Sequence, residues 1–413
     1  MFKKILLFIV GSFGVAEGIC QQNTLAYFLE KAAQNSPLLK DYANQVQSNY
    51  IDSSRIRATY KPQVNASSVN AYAPLIHGYG YDEALSNIGN FNELLTVSKQ
   101  LVSKSNLDNQ FNAIRLANAS LEVLQKISVK DLQKTVTAQY ITAYGSYQQY
   151  LYNNEVYRLL SGEDTLLKAL ARANVYRQTD YLAFLVTLRQ QELLVKQAQT
   201  QFENDYAQLN YLSGLFDTSF RPLTEPELTI DKPIGIEESV YYQKFSLDSL
   251  LLKNEDARID FSYKPKVNVY ADAGFVSSLQ YLPYKNFGTS FGITLSVPIY
   301  DGKQKKMQHD KINLAEQTRK NYRDFFKSQY SQQVAQLLQQ LESAVETIAL
   351  AKEQLTYSRG LIEANGKLLV TGDVHIADYI LAINNYLATR NIITVNSINR
   401  LQIINQLNYW NKQ

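Results

Sequence analysis

Two stretches of this 413-residue chain, roughly 105–214 and 303–412, contain none of its nine prolines and few of its glycines. Proline removes a backbone donor and clashes with the preceding turn, so spans of this length without it are suited to very long helices. Two helical segments of about fifty residues each fit in either span, each roughly 75–80 Å long at 1.5 Å per residue. In the later span Val334, Leu337, Leu341, Ala344, Ile348, Ala351 and Leu355 step by three and four in alternation, the seam of a coiled coil. In the earlier span Val129, Leu132, Val136, Tyr140, Ala143, Tyr147 and Tyr150 make a similar seam with one extra step of four. The remaining faces carry Gln, Asn, Ser and Thr. Antiparallel coiled coils of any function share this pattern, so it sets architecture and leaves function open.

Each helical span is preceded by strand-like sequence, and the two approaches resemble each other. "YKPQVN" runs from Tyr60 to Asn65 and "YKPKVN" from Tyr263 to Asn268. Helix-period apolar residues lead up to Tyr60, where Pro62 stops them. After the second copy, Val267, Val269, Ala271, Ala273 and Phe275 alternate with Asn268, Tyr270, Asp272 and Gly274. Beyond a loop with Pro283, Phe287, Thr289, Phe291, Ile293, Leu295 and Val297 fall on one face, and Gly288, Ser290, Gly292, Thr294 and Ser296 on the other. Strict period two over about ten residues is a strand with one apolar and one small polar face. That length suits a tilted strand crossing a bilayer, and equally a strand in a soluble sandwich. After the first copy the alternation is weaker, with Lys99-Gln100-Leu101 where the second half has Val297-Pro298-Ile299.

A second landmark repeats inside the helical spans. "NVYRQTDYL" begins at Asn174 and "GDVHIADYI" at Gly372, each with a residue tolerant of left-handed backbone six positions before an Asp-Tyr pair. Tyr60 and Tyr263 are 203 residues apart, and Asp180 and Asp378 are 198 apart. Two landmarks at nearly one offset indicate an internal duplication. The turns of the two helical hairpins are expected at Asn174 and Gly372. The segments are then 1–20 as a leader, 21–214 as a first repeat, 215–237 as a linker with Pro222, Pro226 and Pro233, and 238–413 as a second repeat.

Residues 1–20 read as a signal peptide. Lys3 and Lys4 precede the apolar run Ile5–Val10, which is too short to span a bilayer, and small residues follow from Gly11 to Gly18. Cleavage is expected near Cys20-Gln21. Cys20 is the single cysteine, so no intramolecular disulfide can form. Ile19 stands where a lipoprotein peptidase takes a small residue, which argues against lipidation of Cys20.

The net charge of +3 makes no electrostatic case for nucleic acid. Thirty tyrosines against seventeen phenylalanines and one tryptophan suit half-wet surfaces and membrane interfaces. His77, His309 and His375 stand in unrelated contexts and Met307 is the one methionine after the start, so no zinc, iron or thioether copper site is legible. No nucleophile elbow, P-loop or dinucleotide-binding glycine run occurs. The reading is that the chain is not an enzyme and needs no cofactor.

The stretches "GITLSVPIYDGKQKKM", "TGDVHIADYILAINNYL" and "TDYLAFLVTL", with their order and duplication, resemble the TolC-like outer-membrane efflux proteins over essentially the whole mature chain. The resemblance implies a mixed α/β membrane protein with a long antiparallel coiled-coil tunnel. Each chain of a homotrimer would give four strands to one 12-stranded transmembrane barrel in outer-membrane lipid. An open four-stranded sheet cannot sit alone in hydrocarbon, because its edge amides stay unpaired. Phe291, Ile293, Leu295 and Val297 would face lipid. The helix turns would lie at the periplasmic tip, where Asn174, Val175, Tyr176, Gly372, Val374 and His375 are candidate contacts for a periplasmic adaptor coupled to an inner-membrane pump of RND or ABC type. Asp378, Asp180 and Asp373 are candidate residues of the pore constriction. The sequence departs from the family at Val374, where some members have a gating arginine, at Leu369, where they have a tether tyrosine, and at Asn174 in place of a glycine. An alternative reading of both Asp180 and Asp378 is a helix N-cap just after the turn. The alternative for the whole chain is a periplasmic structural or adhesive coiled-coil protein with a small soluble sheet and no pore.

Overall fold

The computed structural model describes residues 23–82, 89–217, 219–232, 235–278 and 283–411. The leader, Cys20 and Pro233 lie outside the described residues. Helix α1 spans Leu25–Asn35 and α2 Pro37–Thr59, followed by strands β1 (Gln63–Tyr72) and β2 (Gly89–Leu101) and helices α3 (Lys104–Arg172) and α4 (Gln178–Leu212). Helix α5 (Val240–Ser262) leads to β3 (Lys266–Ser278), β4 (Phe287–Ser296), α6 (Gln304–Thr371) and α7 (Ile376–Asn411). From α2 onward the same order is written twice. The paired helices match closely in length, with 23 residues in α2 and α5, 69 and 68 in α3 and α6, and 35 and 36 in α4 and α7.

Two sequence expectations need correction. The helix leading to Tyr60 is two helices, because Pro37 takes the first position of a new one after Ser36. The hairpins are not built from equal arms of about fifty residues. Their turns sit at Asn174, with φ of 61°, and Gly372, with φ of 81°, which divides each span into a long and a short arm. The long arms have other partners over their first third. Tyr42 and Asn49 of α2 bond Ser128 and Asn118 of α3, at 3.1 and 2.7 Å. The Arg319 guanidinium of α6 donates to the Phe245 carbonyl of α5 at 3.1 Å.

The chain divides into two compact units, and each draws on both sequence halves. One holds residues up to Ser36, Val129–Pro233 and Gln332–Lys412; the other holds Pro37–Ser128 and Ile234–Ser331.

In the first unit the predicted seams face inward. Val136, Tyr140 and Ala143 of α3 are buried with Phe28 and Ala32 of α1 and Phe202, Tyr206 and Leu209 of α4. On α6, Leu337, Ala344 and Ala351 are buried, with Val334, Leu341, Ile348 and Leu355 half-buried between them. The buried Tyr140 hydroxyl lies 2.7 Å from the carbonyls of both Asn23 and Thr224, so the start of α1 and the linker are held at one point. A second core joins the turn ends of both hairpins. It contains Leu160 and Leu167 of α3, Phe184 of α4, Leu369 of α6 and Ile376, Tyr379 and Ile383 of α7.

The second unit holds a four-stranded antiparallel sheet of order β1-β2-β3-β4. Strands begin directly after Pro62 and Pro265, where a residue without an amide does no harm to a ladder. Pairing of Val64 with Val97, Val97 with Ala271, and Ala271 with Phe291 places most of the apolar residues of the four strands on one face, while Val69, Leu94 and Val276 fall on the other. Between β4 and α6 the Asp301 carboxylate accepts from the amides of Lys303 and Lys305 at 2.9 and 2.7 Å, satisfying donors that a helix start leaves free. Among the described residues no helix is long and apolar enough to cross a membrane, which leaves the strands untouched by that test.

Candidate functional site

Two regions carry the candidate residues, the sheet in one unit and the paired hairpin turns in the other. On the sheet, Phe291, Ile293 and Leu295 are 90%, 73% and 63% exposed. Val297 stands one residue beyond β4 and is exposed as well. Largely exposed aliphatic and aromatic side chains in a continuous row are costly in water, where fully burying each would gain at most roughly 1.5–3 kcal/mol. Both edge strands are open, since β1 and β4 pair on one side only. Each is ten residues long.

The opposite face is small and polar on β4, and carries Val69, Leu94, Tyr270 and Val276 on the other strands. On β4 it carries Gly288, Ser290, Gly292, Thr294 and Ser296, and Ser290 donates to Asp272 of β3 at 3.2 Å. Tyr270 lies over Gly292, where a Cβ would meet its hydroxyl at 2.5 Å. At Gly274 the approach of β2 is closer still, because a Cβ would overlap the Glu93 carbonyl oxygen. The apolar face also carries Lys99, Thr289 and one polar cluster, in which the Ser68 hydroxyl and Asn70 amide donate to the Glu93 carboxylate at 2.6 and 2.9 Å. Sequence reasoning missed that cluster, because its members come from two strands and only the register unites them.

At the hairpin turns, both helix ends close in the same way. The Val175 amide donates to the Leu170 carbonyl and the Asp373 amide to the Leu368 carbonyl, both at 3.0 Å, around a left-handed residue. The two turns then touch. A Cβ on Gly372 would lie 2.9 Å from the Val175 side chain. Tyr176 is buried, and its hydroxyl lies 2.7 Å from the Leu369 carbonyl and 3.0 Å from that of Val374. Burial, with the Asp373 charge second, pushes the Tyr176 hydroxyl above its ordinary range, so it remains a donor at neutral pH. Burial, then Glu163, pushes Tyr379 in the same core up to about 12.

The remaining tip residues are distributed around this strap. Asn174, Val175, Gly372 and His375 are exposed and Val374 is half-buried. Tyr176 does not offer its ring to the surface. Asp373 accepts from the Thr371 hydroxyl at 2.5 Å. Asp180 and Asp378 are not N-caps, because α4 and α7 begin two residues earlier, at Gln178 and Ile376. Each instead stands third in its helix, where a carboxylate still meets the positive end of the helix dipole. Among the described residues neither carboxylate has an ion pair or hydrogen-bond partner, and no group of three or more His, Cys, Asp or Glu is placed to hold a metal. The strap of Tyr176 was not legible beforehand, since nothing in "NVYRQ" announces a bond to a turn almost two hundred residues away.

No protein-family model matches the sequence and no curated protein matches it. Solved structures do match in shape. CusC, studied for its folding and transmembrane channel formation, is 14% identical, with a TM-score of 0.76 over 95% of this chain and 92% of that one. The MtrE outer-membrane channel of Neisseria gonorrhoeae, in its open state, is 13% identical, with a TM-score of 0.74 over 94% and 88%. The CmeC outer-membrane channel of Campylobacter jejuni is 13% identical, with a TM-score of 0.72 over 94% and 86%. With its duplicated strand pairs and unequal helical hairpins, the chain has the fold of the TolC-like outer-membrane channels.

Proposed function

We propose that this protein is one subunit of an outer-membrane channel-tunnel, a passive exit duct for cargo driven by an inner-membrane pump through a periplasmic adaptor. The observation that carries the reading is the sheet, with an exposed apolar row and a small polar face along β4 and two free ten-residue edges. Four strands are too few to close on themselves, and about eight are the minimum for a filled barrel. Edge-to-edge pairing of β4 with β1 of the next copy satisfies every amide that lipid would leave bare. Three copies then make the 12-stranded homotrimer that the resemblance implies. The apolar row faces outer-membrane lipid and the glycine-serine face lines the lumen, because the inner circumference is the shorter one.

In this reading the hairpin turns form the periplasmic end. Exposed Asn174, Val175, Gly372 and His375, with Val374, meet the adaptor, and three copies of Asp378, Asp180 and Asp373 ring the constriction with carboxylates that favour cations over anions. Val374 in place of an arginine leaves a gate without that cation, so Tyr176 carries the turn-to-turn connection within each subunit.

The test is fractionation with the outer membrane, heat-sensitive trimers on gels, and conductance of the purified protein in planar bilayers. A water-soluble monomer after signal cleavage overturns the proposal. Cysteines placed at Phe291, Ile293 and Leu295 should react with lipid-soluble reagents. Labelling there by water-soluble reagents alone would assign the sheet to a periplasmic coiled-coil protein without a pore.

A further inference from the structure

A cavity of about 450 Å³ lies in the first unit among α3, α6, α7 and the linker. Lys352 of α6 and Arg390 and Arg400 of α7 line it, against one carboxylate, Glu225 of the linker. Several arginines of this chain stand beside an acid of their own helix, as Arg55 does with Asp52, Arg189 with Glu192 and Arg319 with Glu316, while Arg57 stacks on Phe111 and Arg115 donates to Asn112. The three cavity cations have no such partner among the described residues. The Nε of Arg400 is buried and makes no hydrogen bond. A ligand cannot reach that atom, but an anion in the cavity balances the excess of positive charge around it. Tyr144 and Ser397 add neutral donors to the same wall, while the Thr394 hydroxyl there already donates to the Arg390 carbonyl at 3.1 Å. Burial, then Glu225, pushes the Tyr144 hydroxyl above its ordinary range, which keeps its proton available.

Apart from Gln148 of α3, the rest of the lining is aliphatic, with Ile348 of α6 and Ile393 and Leu401 of α7. Inorganic phosphate would satisfy the cations and leave that surface bare. The volume falls in the range of small-molecule sites, roughly 300–1,000 Å³. We propose that this cavity binds a small organic anion, with its carboxylate or phosphate on Arg400, Arg390 and Lys352 and its apolar body on the isoleucine wall. Such a ligand joins three long helices to the linker that Tyr140 already holds at Thr224. The inference is independent of pore formation, and binding is read without reference to conductance.

The experiment is isothermal titration of the mature full chain in detergent with 1-naphthoate, its neutral amide 1-naphthamide, and sodium phosphate. The expected result is saturable binding of naphthoate, with naphthamide and phosphate each at least about tenfold weaker. Arg390→Gln and Arg400→Gln should each weaken naphthoate about tenfold, and Glu225→Gln should tighten it a few-fold by removing the opposing charge. Exposed Lys352→Gln, which leaves packing unchanged, reads the same charge effect should Arg400→Gln fail to fold. Absence of naphthoate binding, equal binding of naphthamide or phosphate, or unchanged affinity in Arg390→Gln and Lys352→Gln overturns the proposal.

Discussion

The Tyr176 hydroxyl reaches the Leu369 carbonyl at 2.7 Å, and so a side chain just past the end of one long helix closes the last turn of the other. Leu369 lies among the final residues of α6, whose carbonyls have no intrahelical donor. The bond thus answers a need that every helix end creates, and does so across the two turns. Tyr176→Phe keeps the ring and removes the donor. It should cost about 1–2 kcal/mol, read as a lower unfolding midpoint. Amide exchange around 369–376 should quicken while the seam at Leu337 and Ala344 keeps its protection.

Gly372 serves two purposes that a double mutant separates. Its φ of 81° penalises any side chain, and a Cβ would also press on Val175 at 2.9 Å. Gly372→Ala should lose roughly 1–2 kcal/mol. Adding Val175→Ala should return the steric share and leave the backbone share in place. Asn174, with φ of 61°, has only the backbone cost, so Asn174→Gly should be neutral or stabilising by a few tenths of a kcal/mol. Denaturant midpoints of the three variants and the double mutant check this.

The two faces of β4 should answer differently to charge. Phe291→Arg or Ile293→Arg places a cation on the proposed lipid face, at a cost of about 2–4 kcal/mol near the bilayer midplane. Heat-sensitive trimers should then be lost from the outer-membrane fraction. Thr294→Arg, on the small face, should leave assembly standing and alter conductance instead.

His309 gives the second unit a pH-dependent joint between α5 and α6. Its Nδ1 lies 2.6 Å from Asp256, its Nε2 lies 3.4 Å from Asp260, and Lys305 pairs with Asp260 at 2.8 Å. The Asp256 hydrogen bond raises the His309 pKa from its usual 6.5, against a lowering by burial and, less, by Lys305. A pKa higher in the folded state than in the unfolded one means stability that is complete below about 6.5 and lost as pH rises through the folded value. The unfolding midpoint should therefore fall as pH rises above about 6.5. In His309→Gln that part of the slope should vanish.

Period and punctuation were legible in the sequence. The seams through Val136 and Tyr140 and through Leu337 and Ala344 needed only helix spacing to be found, and they face inward. The left-handed positions at Asn174 and Gly372 placed the turns, because few residues accept that backbone. Arm lengths were misjudged for a physical reason. A seam tells a helix that it has a partner without saying which, and the first third of α3 and of α6 pairs with α2 and α5 rather than with the other arm of its own hairpin.

The sequence alone therefore determined what depends on neighbours along the chain, namely helix, strand, proline stop, turn residue and the doubling of all of them. Tertiary structure decided what depends on register and on distant partners. The Ser68-Asn70-Glu93 cluster exists only because β1 meets β2 in one of its possible registers, and the Tyr176 strap only because two hairpin turns share a core. Arg400 reads in the sequence as an ordinary helical cation. It becomes a buried donor without an acceptor only when α7 is packed, since burial is a property of the surroundings that folding brings to a residue.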